Sequence, residues 1–127
     1  LAQEEETDDV EVTWEDQHRI NNFSKLNTRL RAIEEKLESL KQEKDALDDL
    51  STEIELADED EPVLYKIGES FFNLSHPSAM KHLESDQESI SSEISALASS
   101  AEGCETTMKE LKVVLYAKFG KAINLDE

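Results

Sequence analysis

One cysteine, one tryptophan, two prolines and three glycines are all that 127 residues hold of those types, and each scarcity excludes something. A single thiol, Cys104, cannot build an internal disulfide framework and fits a reducing cytosol. With so little Gly and Pro to punctuate it, the chain is expected to form a few long elements rather than many short ones. No apolar run approaches the roughly 20 residues that cross a bilayer, and no secretory signal run is visible. The chain opens on Leu1 rather than Met, which reads as a trimmed start. His18, His76 and His82 lack metal-ligand spacing, and no glycine-rich phosphate loop occurs. The acidic run Asp58 to Glu61 lacks the loop glycine and the twelfth-position Glu of a calcium-binding EF-hand. Cys104 has no His nearby in sequence and reads as a small buried hydrophobe. No enzyme signature is present, and neither a metal nor a cofactor is expected. Basic residues are also scarce: 13 Lys and Arg stand against 31 Asp and Glu, a net charge of −18. That balance disfavours nucleic acid, whose binding rests on neutralising phosphates.

What the chain does have is a rhythm. Phe23, Leu26, Leu30, Ile33, Leu37, Leu40, Lys44, Leu47 and then Ile54 keep the heptad steps of three and four. Met80, Leu83, Gln87, Ile90, Ile94, Leu97, Ala101, Cys104, Met108, Leu111 and Leu115 keep the same steps. Spacing of this kind over several heptads argues for a coiled coil. The two stretches flank one short strand-like segment, so the predicted fold is mostly α: an antiparallel two-helix coiled coil with a β-hairpin connector. In an antiparallel pair, facing residues have position numbers of constant sum. Setting Ile54 against Met80 places Leu47 opposite Gln87, Leu40 opposite Ile94, Ile33 opposite Ala101 and Phe23 opposite Leu111. Asp16 then faces Lys118 as a closing ion pair.

Local signals bound the elements. Thr13 is the expected cap of a first helix over about 14–56, with Asp16 three residues on as its capping-box partner. Asp58-Glu59-Asp60-Glu61-Pro62 ends that helix, because Pro biases its predecessor out of the helical region and acids oppose the dipole at a C-terminus. Ser75 caps a second helix over about 76–119, with Pro77 in its first turn. Between them, residues 63–74 read as a hairpin around Gly68-Glu69, a two-residue type II′ turn. Pairing across the turn puts Val63, Tyr65, Ile67, Phe72 and Leu74 on one face, and Leu64, Lys66, Phe71 and Asn73 on the other. A lone two-stranded hairpin is marginal in water, and a two-helix coil is too narrow to cover the apolar face. The sequence offers no further strand, so assembly through the hairpin is expected. Val63, Leu64, Tyr65, Ile67, Phe71, Phe72 and Leu74 are the candidate assembly residues.

The other end of the predicted coil also carries more apolar side chains than a seam can use. Trp14, Ile20 and Phe23 lie on the first helix; Val113, Val114, Leu115, Tyr116 and Phe119 lie on the second; Ile123 and Leu125 follow Gly120. Phe23 and Leu115 belong to the seam. An apolar excess at an exposed end marks an interaction surface. The competing reading is that Tyr116 and Phe119 fold over the end as a cap. Charge divides along the same line: residues 17–44 and 109–121 each carry +3, whereas 1–16 carry −8 and 45–108 carry −14. Either these runs are solvated faces, or the basic end meets acidic partners.

Four stretches give the pattern a family likeness: VTWEDQHRINNF at 12–23, DDLSTEIELADEDEPV at 48–63, YKIGESFF at 65–72 and LYAKFGKAINL at 115–125. With the order helix, hairpin, helix they make residues 12–125 resemble a β-type prefoldin subunit. The single hairpin fits the β type, since α-type subunits carry two. The resemblance implies a cytosolic, ATP-independent cochaperone of six different chains, two α and four β. Their hairpins join into shared β-barrels, and the coil tips capture unfolded actin and tubulin for delivery to the cytosolic chaperonin. It makes Val63–Leu74 the assembly segment. It makes Trp14, Ile20, Phe23, Val114, Leu115, Tyr116, Phe119, Ile123 and Leu125 the client-binding tip. The implied partners are the other prefoldin subunits, unfolded client proteins and the chaperonin, with neither nucleic acid nor membrane. Residues 1–11 fall outside the pattern and read as a disordered acidic tail, and 126–127 as a short C-terminal tail. The alternative is a structural coiled-coil adaptor that captures no unfolded chain.

Overall fold

The computed structural model describes residues 10–125; most of the predicted acidic tail and the tail at 126–127 lie outside the described residues. In chain order it contains helix α1 (Trp14–Leu56), strands β1 (Val63–Ile67) and β2 (Ser70–Leu74), helix α2 (His76–Phe119) and a 3-10 turn, Gly120–Ala122. These elements form two compact units. A hairpin unit spans Lys36–Leu97, and a terminal unit combines the residues up to Glu35 with those from Ala98 onward.

In the terminal unit, α1 begins where Thr13 and Asp16 exchange hydrogen bonds. The Thr13 amide donates to Asp16 Oδ2 and the Asp16 amide donates to Thr13 Oγ1, each at 3.1 Å. This reciprocal box satisfies amides that the first turn leaves without partners. Asp16 also accepts from Arg19 Nη1 at 3.0 Å and from Lys118 Nζ on α2. The last contact joins the two residues that the constant-sum register sets face to face. Phe23, Leu30 and Ile33 of α1 are buried, as are Ala101, Cys104, Met108 and Leu115 of α2. After Phe119 the backbone reaches φ +55° at Gly120, a left-handed conformation that suits glycine and stops a helix. The chain turns back, and the Leu125 amide donates to Tyr116 Oη at 3.1 Å.

In the hairpin unit, β1 and β2 pair antiparallel as Val63↔Leu74, Leu64↔Asn73, Tyr65↔Phe72, Lys66↔Phe71 and Ile67↔Ser70. Gly68 takes φ +63° and Glu69 does not enter positive φ, which separates a II′ from a I′ turn. Gln87 Nε2 donates to Asp48 Oδ1 at 3.2 Å, one position from the predicted Leu47–Gln87 layer. Ser75 Oγ accepts the Ser78 amide at 3.3 Å and caps α2.

The core of this unit is Ile54, Tyr65, Ala79 and Leu83, with Leu47, Leu50, Val63, Leu74 and Met80 packed around it. Two helices bury only a stripe, and here the hairpin supplies a third wall. Ala79 is therefore fully buried although the heptad pattern assigns the seam to Met80. The expectation that the coil leaves the whole apolar hairpin face open is corrected in part: its Tyr65 end is packed into this core.

Candidate functional site

Two surfaces are candidates, one in each unit. On the hairpin, the predicted assembly residues divide by which way they point. Tyr65 is 2% exposed, while Phe72, its cross-strand partner on the same face, is 48% exposed. The helices thus cover Val63, Tyr65 and Leu74 on that face and leave Phe72 and Ile67 open. Val63, Tyr65 and Leu74 hold the hairpin to the helices; Leu64, Ile67, Phe71 and Phe72 face outward. Leu64 and Phe71 are each 61% exposed, on the face opposite to Tyr65. The sheet has two strands, so among the described residues the outer edge of each has no strand partner.

Polar contacts fix this hairpin on its base. Tyr65 Oη donates to Asp86 Oδ2 at 2.7 Å, and the Tyr65 ring lies 5.8 Å from the His82 ring. Burial, reinforced by the hydrogen bond to Asp86 and its charge, raises the Tyr65 phenol far above its usual range. The hydroxyl therefore remains a neutral donor at any physiological pH. His76 Nε2 donates to the Ile54 carbonyl at 2.8 Å, adding a second donor beside the Ala57 amide at 3.2 Å in the last turn of α1. Sequence reasoning missed Asp86, His82 and His76 in these roles. Each makes a single long-range contact, and no periodicity announces such contacts.

The predicted client-binding residues of the terminal unit also divide. Phe23, Leu115, Phe119 and Leu125 are buried, and Ile20 and Ile123 are half-buried. Phe119 folds inward as the cap reading expects, and Tyr116 stays at the surface while its hydroxyl holds the Leu125 amide. The outward set is Trp14, 76% exposed, with Val114 and Tyr116; Val113, outside the predicted client-binding set, is exposed as well. Trp14 stacks on His18, ring centroids 5.5 Å apart and planes 5° from parallel.

Electrostatics distinguish the two surfaces. The hairpin unit has five basic and sixteen acidic residues; the described part of the terminal unit has eight of each. Lys118 beside Asp16 holds its carboxyl down at about 2, against the opposing effect of burial and with help from Thr13. Lys112 Nζ lies 5.8 Å from the Phe23 ring centroid and Lys118 Nζ 5.4 Å from that of Phe119, both within cation–π range.

Both surfaces offer apolar area with charge around it. Among the described residues no cluster of three or more His, Cys, Asp or Glu could hold a metal, and no helix is long and apolar enough to cross a membrane.

Comparison with known proteins gives a consistent result. The family model described as prefoldin subunit matches residues 17–122. The Saccharomyces cerevisiae protein named prefoldin subunit 4 is 42% identical over 126 residues, covering 99% of this chain and 98% of that protein. The Homo sapiens protein of the same name is 38% identical over 120 residues, covering 94% and 90%. In three dimensions the chain is similar to the prefoldin beta subunit from Thermococcus strain KS-1, with a TM-score of 0.75 at 15% sequence identity over 87% of this chain and 97% of that one.

Proposed function

We propose, from the premise that this chain belongs to the prefoldin subunit family, that it fills the subunit-4 place in a hetero-hexameric, ATP-independent cochaperone of the cytoplasm. The complex consists of two α-type and four β-type chains. It captures unfolded polypeptides of the actin and tubulin class and passes them to the cytosolic chaperonin. The observation that carries this reading is the hairpin. It exposes Leu64 and Phe71 on one face and Ile67 and Phe72 on the other, and the outer edges of its two strands are open. A two-stranded sheet with apolar side chains on both faces is marginal alone and a template for more strands. Strands from neighbouring subunits satisfy both needs at once.

Client capture falls to the terminal unit, through Trp14, Val114 and Tyr116 with Val113 beside them. Isolated apolar side chains on helices bind weakly and without a fixed partner shape. Six subunits presenting such surfaces to one unfolded chain act through effective concentration, which raises avidity with no nucleotide-driven step.

Native mass spectrometry of the tagged chain recovered from cells, followed by an aggregation assay, tests this. Six different small subunits in one complex that slows aggregation of denatured actin without ATP is the expected result. A monomer, a homodimer or one large unrelated partner contradicts the assembly. A six-chain complex that leaves aggregation unchanged favours the structural adaptor.

A further inference from the structure

The capture reading says nothing of which unfolded segments the terminal unit prefers, and a groove on that unit bears on it. Leu30 and Met108 line the groove together with Glu105, Lys109 and Lys112. Leu30 and Met108 are buried and form an apolar floor; Lys109 is exposed and Lys112 half-buried at the rim. Among the described residues the ion pairs are Asp16 with Arg19, Asp16 with Lys118, and Lys44 with Asp48. Neither rim lysine has a carboxylate partner, Glu105 included. Most Lys and Arg of this chain likewise stand outside these ion pairs; what sets Lys109 and Lys112 apart is that both stand over one apolar floor. On α2 the sequence positions 109, 112, 113 and 116 share one helical face. The rim lysines therefore continue into Val113, 71% exposed, and Tyr116. Along that stripe two cations are followed by two apolar side chains.

Resting on the capture reading above, we propose that this groove selects extended segments of unfolded clients in which Asp or Glu lies beside Leu, Ile or Phe. The apolar side chain covers the Leu30–Met108 floor, and the acid meets Lys109 or Lys112. Charge complementarity names the occupant: an apolar floor alone accepts any hydrophobic segment, whereas two ammonium groups without carboxylate partners above it, one of them over the Phe23 ring, favour a segment that brings its own carboxylates. Exposed charge pairs are individually weak and screened by salt, so the preference is graded and suits a surface that must also release its client.

The test uses the assembled complex and two labelled 20-residue peptides, one repeating Leu-Ser-Glu and the other Leu-Ser-Gln, followed by fluorescence anisotropy. At low ionic strength the Glu peptide is expected to bind about fivefold more tightly than the Gln peptide. That advantage should vanish in the Lys109→Gln/Lys112→Gln complex and in high salt, while the double variant still binds the Gln peptide as the native complex does. Equal binding of the two peptides to the native complex overturns the proposal, as does an advantage that survives the double substitution. A preference for the Glu peptide that emerges only after residues 1–9 are deleted also overturns it, assigning the groove to the chain's own five N-terminal acids. Failure of every probe to bind, denatured actin included, refutes the capture reading itself.

Discussion

In the hairpin unit the exposed apolar side chains Leu64, Ile67, Phe71 and Phe72 stand on strands with open backbone edges. In the terminal unit Trp14, Val113, Val114 and Tyr116 stand on helices, whose backbone groups bond within the helix. Both regions expose apolar area, but they ask different things of a partner. An open strand edge demands another strand at a fixed register and distance, so it recognises a shape. A helix with scattered apolar side chains demands only that something apolar arrive, so it tolerates many shapes. Their foundations differ as well. The hairpin sits on a three-walled core and is pinned by Tyr65 on Asp86 and His76 on the Ile54 carbonyl. The terminal surface stands on a two-helix stripe closed by the Asp16–Lys118 contact. Specific assembly calls for a rigid face, and promiscuous capture does not.

Substitutions that hit one surface and spare the other break this contrast most severely. Leu64→Asp with Phe71→Asp should abolish the six-chain complex in native mass spectrometry. Because both side chains are exposed, the stability of the isolated chain should stay within about 0.5 kcal/mol of wild type. Trp14→Ser with Val113→Ser should leave the complex intact and weaken suppression of client aggregation. If either pair produces the other's phenotype, the division of labour is wrong.

Next in size is the hairpin core. Leu83 is fully buried, so Leu83→Ala should cost about 3 kcal/mol in urea unfolding, combining lost transfer energy with a cavity. Tyr65→Phe is gentler, about 1.5 kcal/mol, because it removes one hydrogen bond to a charged acceptor and keeps the ring. It also sharpens the pH behaviour. The folded-state Tyr65 phenol titrates above its unfolded value of 10.0. Its contribution is therefore fully present below pH 10 and is lost as pH rises beyond that. Wild type should lose stability above pH 10 relative to Tyr65→Phe, as read by alkaline unfolding curves.

The terminal unit has the opposite pH signature and the smallest expected effect. Asp16 falls from 3.8 to about 2 in the folded chain. Its stabilisation is present above the unfolded value and disappears as pH drops from about 4 through about 2. Helicity followed by circular dichroism should show wild type losing stability across that window. Asp16→Asn should be flat there and slightly less stable at neutral pH.

Periodic features of this fold were legible in the sequence. The heptad steps read from Phe23 to Ile54 and from Met80 to Leu115 carry most of the buried residues of the two helices, although Ala79 rather than Met80 is the buried one. The antiparallel sum places Asp16 opposite Lys118, and Gly68 places the turn. Each rests on repetition or on a backbone conformation that one residue type favours. What the pattern left unread comes from single tertiary contacts. Ala79 is buried because the hairpin lies over it, a wall that a two-helix template lacks. The hairpin face that alternation makes uniform is split by individual contacts: Tyr65 packs into the core and bonds Asp86, whereas its cross-strand partner Phe72 stays exposed. In the terminal unit, apolar content alone could not tell Phe119 and Leu125, which fold inward, from Trp14 and Val113, which do not. That sorting depends on the reversal at Gly120 and the Tyr116–Leu125 hydrogen bond.

Hydroxyl-radical footprinting of side chains in the assembled complex, with and without denatured actin, tests the division most directly. Assembly should protect Leu64 and Phe71 whether or not client is present, and client should add protection at Trp14, Val113 and Tyr116. Client protection that falls on the hairpin strands and leaves the terminal unit unchanged would contradict the account.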